Sequence, residues 1–453
     1  MRKWLVLVSV MLLALGGFTV RAQDATATAE AMASGDLAGV DPSGQEILYW
    51  SQFGSGVQQK TMDQFVADFN ANNQWGIKVT HVGDAKGYSD ISSQMNAAIV
   101  SGNLPNLVAG YPNDALSYDL EGVVVDLNTY YNDPKWGFSA DDQSDLNQTV
   151  LNAFVMSDGR RLGWPNVVSA NVLAVNLGML KQLGIDKAPE TLDEFKAAAC
   201  AAAKGNLTGV GGAKVQGYPI VADASQFESF VAGIGGSIFA DGKWDFTNDK
   251  VTQVFQFLQD LYKEGCGYIP DKQFGNTADF ALGTNPMAQT STAGIPFITS
   301  DIDKNKSGID NWIVTTTPVG AAGDKPVLQV YTPGVMIVKS SPEKQLASWL
   351  FLKYLADQKQ QVAWSTGTGY FPTRTSAAKE ISDNKVLNQW AGSVNDLLSS
   401  GSVSVYSSPQ ELSYGKVRTL LATAIADVTS GGKDVKEVAQ KLTDDANAAM
   451  TAK

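Results

Sequence analysis

Short apolar runs alternate with helical spacing along the first part of this chain. Residues 47–50 form an apolar run of strand length, and Met62, Phe65, Val66 and Phe69 then recur three or four apart, which predicts a strand feeding an amphipathic helix. Residues 77–82 predict a second strand, Ile91, Met95 and Ile99 one face of a second helix, and 107–109 a third strand. This alternation predicts an α/β lobe with a largely parallel sheet. Further on, LDEFKAAAC and VFQFLQDLYKEGC predict two helices that pack side by side, the first opened by a Thr191/Glu194 capping box. Ser341, Pro342 and Glu343 specify another helix start by cap, fixed φ and dipole complement. Leu346, Trp349, Leu350, Lys353 and Tyr354 give that helix a buried face, and Thr368, Gly369, Tyr370, Phe371 and Pro372 follow as a rigid turn that presents a ring at a fixed place.

The first residues have a different pattern. Arg2 and Lys3, an apolar run over 4–15 and the small-residue site Val20-Arg21-Ala22 predict a signal peptide over 1–22, with Gln23 opening the mature chain. An uncleaved anchor is the alternative, but Gly16 and Gly17 interrupt a run already shorter than the roughly 20 apolar residues of a span. Residues 23–45, rich in Ala, Thr, Ser, Asp and Gly without apolar periodicity, are expected to be a disordered linker, with folded structure from Glu46. A chain of 453 residues, 44% hydrophobic, exceeds what one core usually supports and predicts two compact units. Its formal charge is −12, and −15 once Arg2, Lys3 and Arg21 leave with the signal, which disfavours nucleic acid and anionic lipid as partners. Cys200 and Cys266 are the two cysteines, and export favours a disulfide between them, worth about 4 kcal/mol in the chain-entropy view.

Catalytic chemistry has little support. His81 is the one histidine and falls inside a predicted strand, so a Ser-His-Asp machine would have to be built on it, and a zinc site of several histidines is excluded. Asp301-x-Asp303-x-Asn305 opens like a calcium loop, yet Lys306 holds the glycine position and Trp312 that of the bidentate glutamate. Gly431-Gly432-Lys433 lacks the upstream glycine of a phosphate loop and reads as a turn. Any two of the 46 acidic residues could face each other as a glycosidase pair, so a secreted glycoside hydrolase stays as an alternative from a different class.

A series of weak motifs in a fixed order resembles the extracellular solute-binding proteins of bacterial sugar and polyol-phosphate ABC importers, over most of residues 46–450. Ser101-Gly102-Asn103-Leu104-Pro105-Asn106 is similar to their SGxxPD turn, with Asn106 for Asp. Asp158-Gly159-Arg160-Arg161-Leu162-Gly163-Trp164-Pro165, followed by Val172-Leu173-Ala174-Val175-Asn176, resembles a lobe crossover. Pro189, Thr191, Asp193, Glu194 and Phe195 resemble PxTWDEF, with Leu192 for Trp; Phe280, Gly283, Met287 and Ala288 resemble FxxGxxAM, despite Pro286. Gly431-Gly432-Lys433 before the last helix and the Thr-Gly-Tyr-Phe-Pro turn complete the series.

The resemblance implies a type II periplasmic-binding-protein fold: two α/β lobes about a hinge, one formed by residues 46–160 and 317–356, the other by 161–316 and 357–453. It implies an exported, monomeric, non-enzymatic protein without metal or cofactor, which captures a mono- or oligosaccharide and hands it to permease subunits. Aromatic and neutral polar side chains suit such a ligand, since ring faces cover sugar C–H groups while amides and hydroxyls pair with OH. Candidate contacts are those at strand ends and crossover loops, where ligands of open α/β sheets bind. They are Trp50, Ser51, Tyr88, Tyr111, Asp114, Trp164, Asn166, Ser169, Thr290, Thr292, Tyr331, Thr332 and Tyr370. A glycerol-3-phosphate or other polyol-phosphate ligand is the alternative, because that branch shares Tyr88 and Tyr370 by position. Its phosphate-binding arginine has no counterpart in residues 405–412, and no basic residue follows until Lys416. Arg374 is the cation that keeps a phosphate ester in view.

Overall fold

The computed structural model describes residues 37–272, 274–383 and 402–451. The signal segment 1–22 lies outside them. Two main sheets organise the chain, from strands β1 (Glu46–Trp50), β2 (Lys78–Val82), β3 (Leu107–Gly110), β4 (Ser169–Asn176), β5 (Met287–Ser291), β6 (Trp312–Thr315), β7 (Val327–Tyr331), β8 (Gly334–Ile337) and β9 (Ser404–Tyr406). The first has the order β8-β3-β1-β2, with β1 to β3 parallel and β8 antiparallel to β3. In the second, β6-β4-β7-β9, β4 also pairs with β5 and is buried along its whole length.

Each sheet has its own core. Helices Gly56–Asn72 and Tyr88–Ser101 turn Met62, Phe65, Phe69, Ile91 and Met95 onto the first sheet, where Trp164, Phe138 and Trp349 form an aromatic centre. Helix Leu192–Lys204 starts on the expected capping box: the Glu194 amide donates to Thr191 Oγ1 at 3.3 Å, and the Thr191 amide to Glu194 Oε2 at 3.3 Å. It packs beside helix Asp249–Lys263 through the Phe195 and Phe257 rings, 5.8 Å apart. The Cys200–Cys266 disulfide closes that layer, with Cα atoms 4.4 Å apart. Asp301, Asp303 and Asn305 lie in helix Ile295–Asn305, not in a loop.

Three expectations need correction. Folded chain begins before Glu46: Leu37 (0% exposed) and Val40 (3%) are buried in the first core, so two apolar side chains suffice to dock what looked like linker. Strand β7 hydrogen-bonds to β4 and β9, so residues 327–331 belong to the second sheet, and the chain crosses back at Thr332-Pro333. Residues 357–370 do not open the second lobe, and Phe371 is the first to pack against its sheet. Helix Gln358–Thr368 follows helix Pro342–Leu355 after a break at Ala356-Asp357 and brings Trp364 and Tyr370 into the first core against Phe53 and Phe65.

Candidate ligand cleft

The carboxyl ends of β1 to β3 face the second lobe. Gln58 Nε2 donates to the Ala293 carbonyl across the gap at 3.4 Å. Gly369 also lies close against the second lobe. Its φ of +75° favours glycine, and a Cβ there would lie 2.4 Å from the Thr292 carbonyl oxygen, so the turn needs glycine for both reasons. The following ring, Tyr370, is held by stacking on Trp364 (5.7 Å between centroids) and by the edge of Phe53 (6.1 Å).

Strand ends build the first wall. Tyr88 opens helix Tyr88–Ser101, Tyr111 precedes helix Pro112–Leu120, and their rings lie 4.7 Å apart. Gln52 Nε2 donates to the Tyr88 hydroxyl, while the buried Gln52 Oε1 has no partner among the described residues. Asp114 Oδ2 accepts the Tyr111 amide at 2.8 Å and so caps its helix. Burial raises the Asp114 carboxyl, opposed by the Tyr111 amide, Ser92 and Arg418.

Facing it stands a polar network. The Tyr331 hydroxyl, at the end of β7, accepts from Asn171 Nδ2 at 2.8 Å and donates to Gln329 Oε1 at 3.4 Å. Asp223 caps helix Ala224–Gly233 and takes Arg418 Nη2 on Oδ2 at 3.0 Å. Arg418 Nη1 reaches Ser225 Oγ at 2.6 Å and the Tyr414 hydroxyl at 3.2 Å. Behind this pair the buried Glu228 accepts from Tyr406 at 3.0 Å and from Tyr414. Burial raises the Glu228 carboxyl, against the pull of Tyr414, Arg418, Ser408 and Tyr406.

Both walls act on the same groups. Burial pushes the Tyr111 hydroxyl up to about 12; Arg418 of the opposite wall lowers it, and Asp223 and Asp114 raise it. Tyr331 is likewise raised, by burial first and then by Asp223. Charged and phenolic side chains of the two lobes are therefore close enough to act on one another: Tyr111 and Asp114 on one side, Tyr331, Asp223 and Arg418 on the other.

Other expected contacts have structural positions. Trp164 (0% exposed) stacks on Phe138 at 5.2 Å and meets Trp349 edge-on, so the crossover tryptophan is core. Asn166 and Ser169 are buried, and the Thr292 hydroxyl, also buried, accepts the Ala170 amide at 3.3 Å. Trp50, Thr290 and Thr332 are half-buried; Trp50 packs against the first core and Thr290 pairs with Val172. Ser51 (1% exposed) lies in a hydrogen-bonded row, Ser51 Oγ to His81 Nε2 at 2.7 Å and His81 Nδ1 to Asp63 Oδ1 at 2.9 Å. Those are hydrolase-triad distances, but the hydroxyl is sealed from solvent and also accepts the Phe53 amide, so the row ties helix Gly56–Asn72 to the sheet.

The cation expected to hold a phosphate is elsewhere too. Arg374 is buried, donates to the Ala356 carbonyl and pairs with Asp142 (3.0 Å) and Asp145 (3.1 Å). Arg418 and Asp223 went unread in the sequence, since they meet only through packing of segments 195 residues apart, as did Asn171, whose partner Tyr331 lies 160 residues on.

A family model described as bacterial extracellular solute-binding protein matches residues 64–390. The chain belongs to that family. A search of curated proteins gives no match. Among solved structures, this solute-binding protein is similar to an ABC substrate-binding protein of Listeria monocytogenes in complex with cycloalternan. That pair has a TM-score of 0.74 and 18% identity, covering 90% of this chain and 100% of the other. The Thermus thermophilus maltotriose-binding protein gives 0.68 and 19%, covering 89% and 100%. UgpB of Mycobacterium tuberculosis with glycerophosphocholine gives 0.73 and 17%, covering 90% and 99%. These likenesses show the two-lobed binding-protein fold. No helix of the described residues is long and apolar enough to cross a membrane.

Proposed function

We propose that this protein is the extracytoplasmic substrate-binding component of an ABC importer. Exported by its signal segment and acting as a monomer, it captures a mono- or oligosaccharide between its lobes and passes it to membrane permease subunits. What supports this reading is the nearness of the paired Tyr88 and Tyr111 rings and Tyr370 of one lobe to Tyr331 of the other; we take the gap they flank, with its neighbouring amides and hydroxyls, as the ligand site. Such a wall stacks sugar C–H faces and pairs with hydroxyls. A ligand touching both walls stabilises only the closed arrangement, so binding shifts the hinge equilibrium and creates the surface a permease recognises.

Charge favours a neutral ligand. Arg418 is already paired with Asp223, and Asp114 lies beyond it, so a phosphate dianion would meet two carboxylates for one engaged guanidinium. The same engagement supports a binding role over glycoside hydrolysis: Asp114 caps a helix and Asp223 holds an arginine.

Calorimetric and thermal-shift titration of the mature chain with malto-oligosaccharides, monosaccharides and glycerol 3-phosphate tests the reading. At 100 times its dissociation constant a true ligand adds about 2.7 kcal/mol of stability. A shift with a neutral saccharide and no release of reducing ends is expected. A response to phosphate esters alone would overturn the ligand class, and turnover would overturn the binding role.

A further inference from the structure

A second polar and aromatic hollow lies on the first lobe, away from the cleft. The cleft opens at the carboxyl ends of β1 and β2, whereas this hollow lies at their amino ends, where the Gly44 amide donates to the Trp75 carbonyl at 2.9 Å. It is an open depression of about 1260 Å³ between the end of helix Gly56–Asn72, the loop at Trp136 and helices Pro342–Leu355 and Gln358–Thr368. That exceeds the roughly 300–1,000 Å³ of a small-molecule site and suits several linked rings.

Its lining has the chemistry that the cleft uses. Trp75 and Tyr354 are half-buried, and Trp75 lies 5.9 Å from Trp136. The Trp136 ring is buried, and its indole N–H, shut off from solvent, has no hydrogen-bond partner among the described residues. Gln74 and Lys359, both exposed on the rim, likewise carry no bond or ion pair within the described residues.

Charge narrows the occupant. Two of the three lysines here are engaged: Lys353 Nζ donates to the Trp136 and Gly137 carbonyls, and Lys135 Nζ sits 4.2 Å above the Trp136 ring. Asp68 and Asp357 offset them, so no concentrated positive field invites a phosphate. Ring faces interleaved with amides and single charges give no continuous apolar floor for a lipid chain.

We propose that this hollow is a second carbohydrate-binding site, taking a stretch of a neutral polysaccharide across Trp75 and Tyr354, independent of the inter-lobe cleft. Such a site would keep an exported binding protein at the polymer whose shorter products its cleft collects.

The test is affinity electrophoresis of the full mature chain through native gels containing amylose, dextran, xylan or β-glucan. It compares the natural protein with Trp75→Ala, Asp357→Asn and, for the cleft, Tyr111→Ala. Retardation by at least one polymer is expected, kept in Tyr111→Ala and weakened at least tenfold in Trp75→Ala. A chain retarded by none, or one whose retardation is lost in Tyr111→Ala but kept in Trp75→Ala, overturns the proposal while leaving the cleft reading intact. Should Trp75→Ala fold poorly, the Trp136 indole proton in a nitrogen–proton NMR spectrum decides. It is expected to shift as oligomers of the retarding polymer are added to Tyr111→Ala, and an unmoved signal at saturating oligomer contradicts the site.

Discussion

Tyr111 and Tyr331 lie near one another on different lobes, and in the proposed site each is expected to matter through its ring face rather than its proton. Tyr111→Ala and Tyr331→Ala should each weaken saccharide binding at least tenfold by calorimetry, since a lost aromatic contact and its burial exceed about 1.4 kcal/mol. Neither should lower the unfolding midpoint of the free protein much, because both rings are only half-buried. Trp164→Ala should do the reverse: a loss of about 3–5 kcal/mol in urea unfolding, with saccharide affinity of the folded protein unchanged. An affinity loss without destabilisation would return Trp164 to the cleft. The contrast shows what single residues reveal. Tyr88, Tyr111 and Tyr370 could be picked out because each follows a legible strand end or turn. Trp164 follows a crossover just as legibly, but crossovers between lobes are also where the core is sealed. Asp223 and Arg418, 195 positions apart, left no local signature of their pairing.

At the scale of elements, the turn after helix Gln358–Thr368 is fixed by Arg374 and two carboxylates. Asp145 is desolvated, which raises it, but the hydroxyl and amide of Ser376 together with Arg374 bring it below its usual value; Asp142 is lowered against its desolvation by Ser139 and Arg374. A carboxyl depressed in the folded state contributes stability above its unfolded value, about 3.9, and loses that contribution as pH falls through the folded value. Stability against denaturant should therefore fall below about pH 4, and Asp145→Asn should flatten that fall; an unchanged acid slope would contradict the role given to the cluster. Cys200→Ser with Cys266→Ser should lower stability by about 4 kcal/mol without changing ligand affinity, because the bridge lies within the second lobe's helical layer. The first β-α units were readable because their apolar runs and helical spacing agree. The break at Ala356-Asp357 was not, since helical spacing continues through it. Strand β7 also misled: its sequence suits either sheet, and only its pairing with β4 and β9 assigns it.

For the molecule as a whole, the order of weak motifs disclosed the family where no one motif could, and the two sheets with separate cores bear out the two-lobed expectation. The site between lobes depends on how two folded bodies meet, which a linear pattern does not encode. At Gly369 the backbone of one lies close against the other, and Gly369→Ala should weaken ligand binding by holding the turn away from Thr292 while each lobe keeps its own core. The central claim is capture by closure. Small-angle X-ray scattering of the mature protein, alone and saturated with the saccharide that calorimetry identifies, tests it most directly: the account predicts a smaller radius of gyration in the bound state, and saturable binding that leaves the scattering curve unchanged would contradict it.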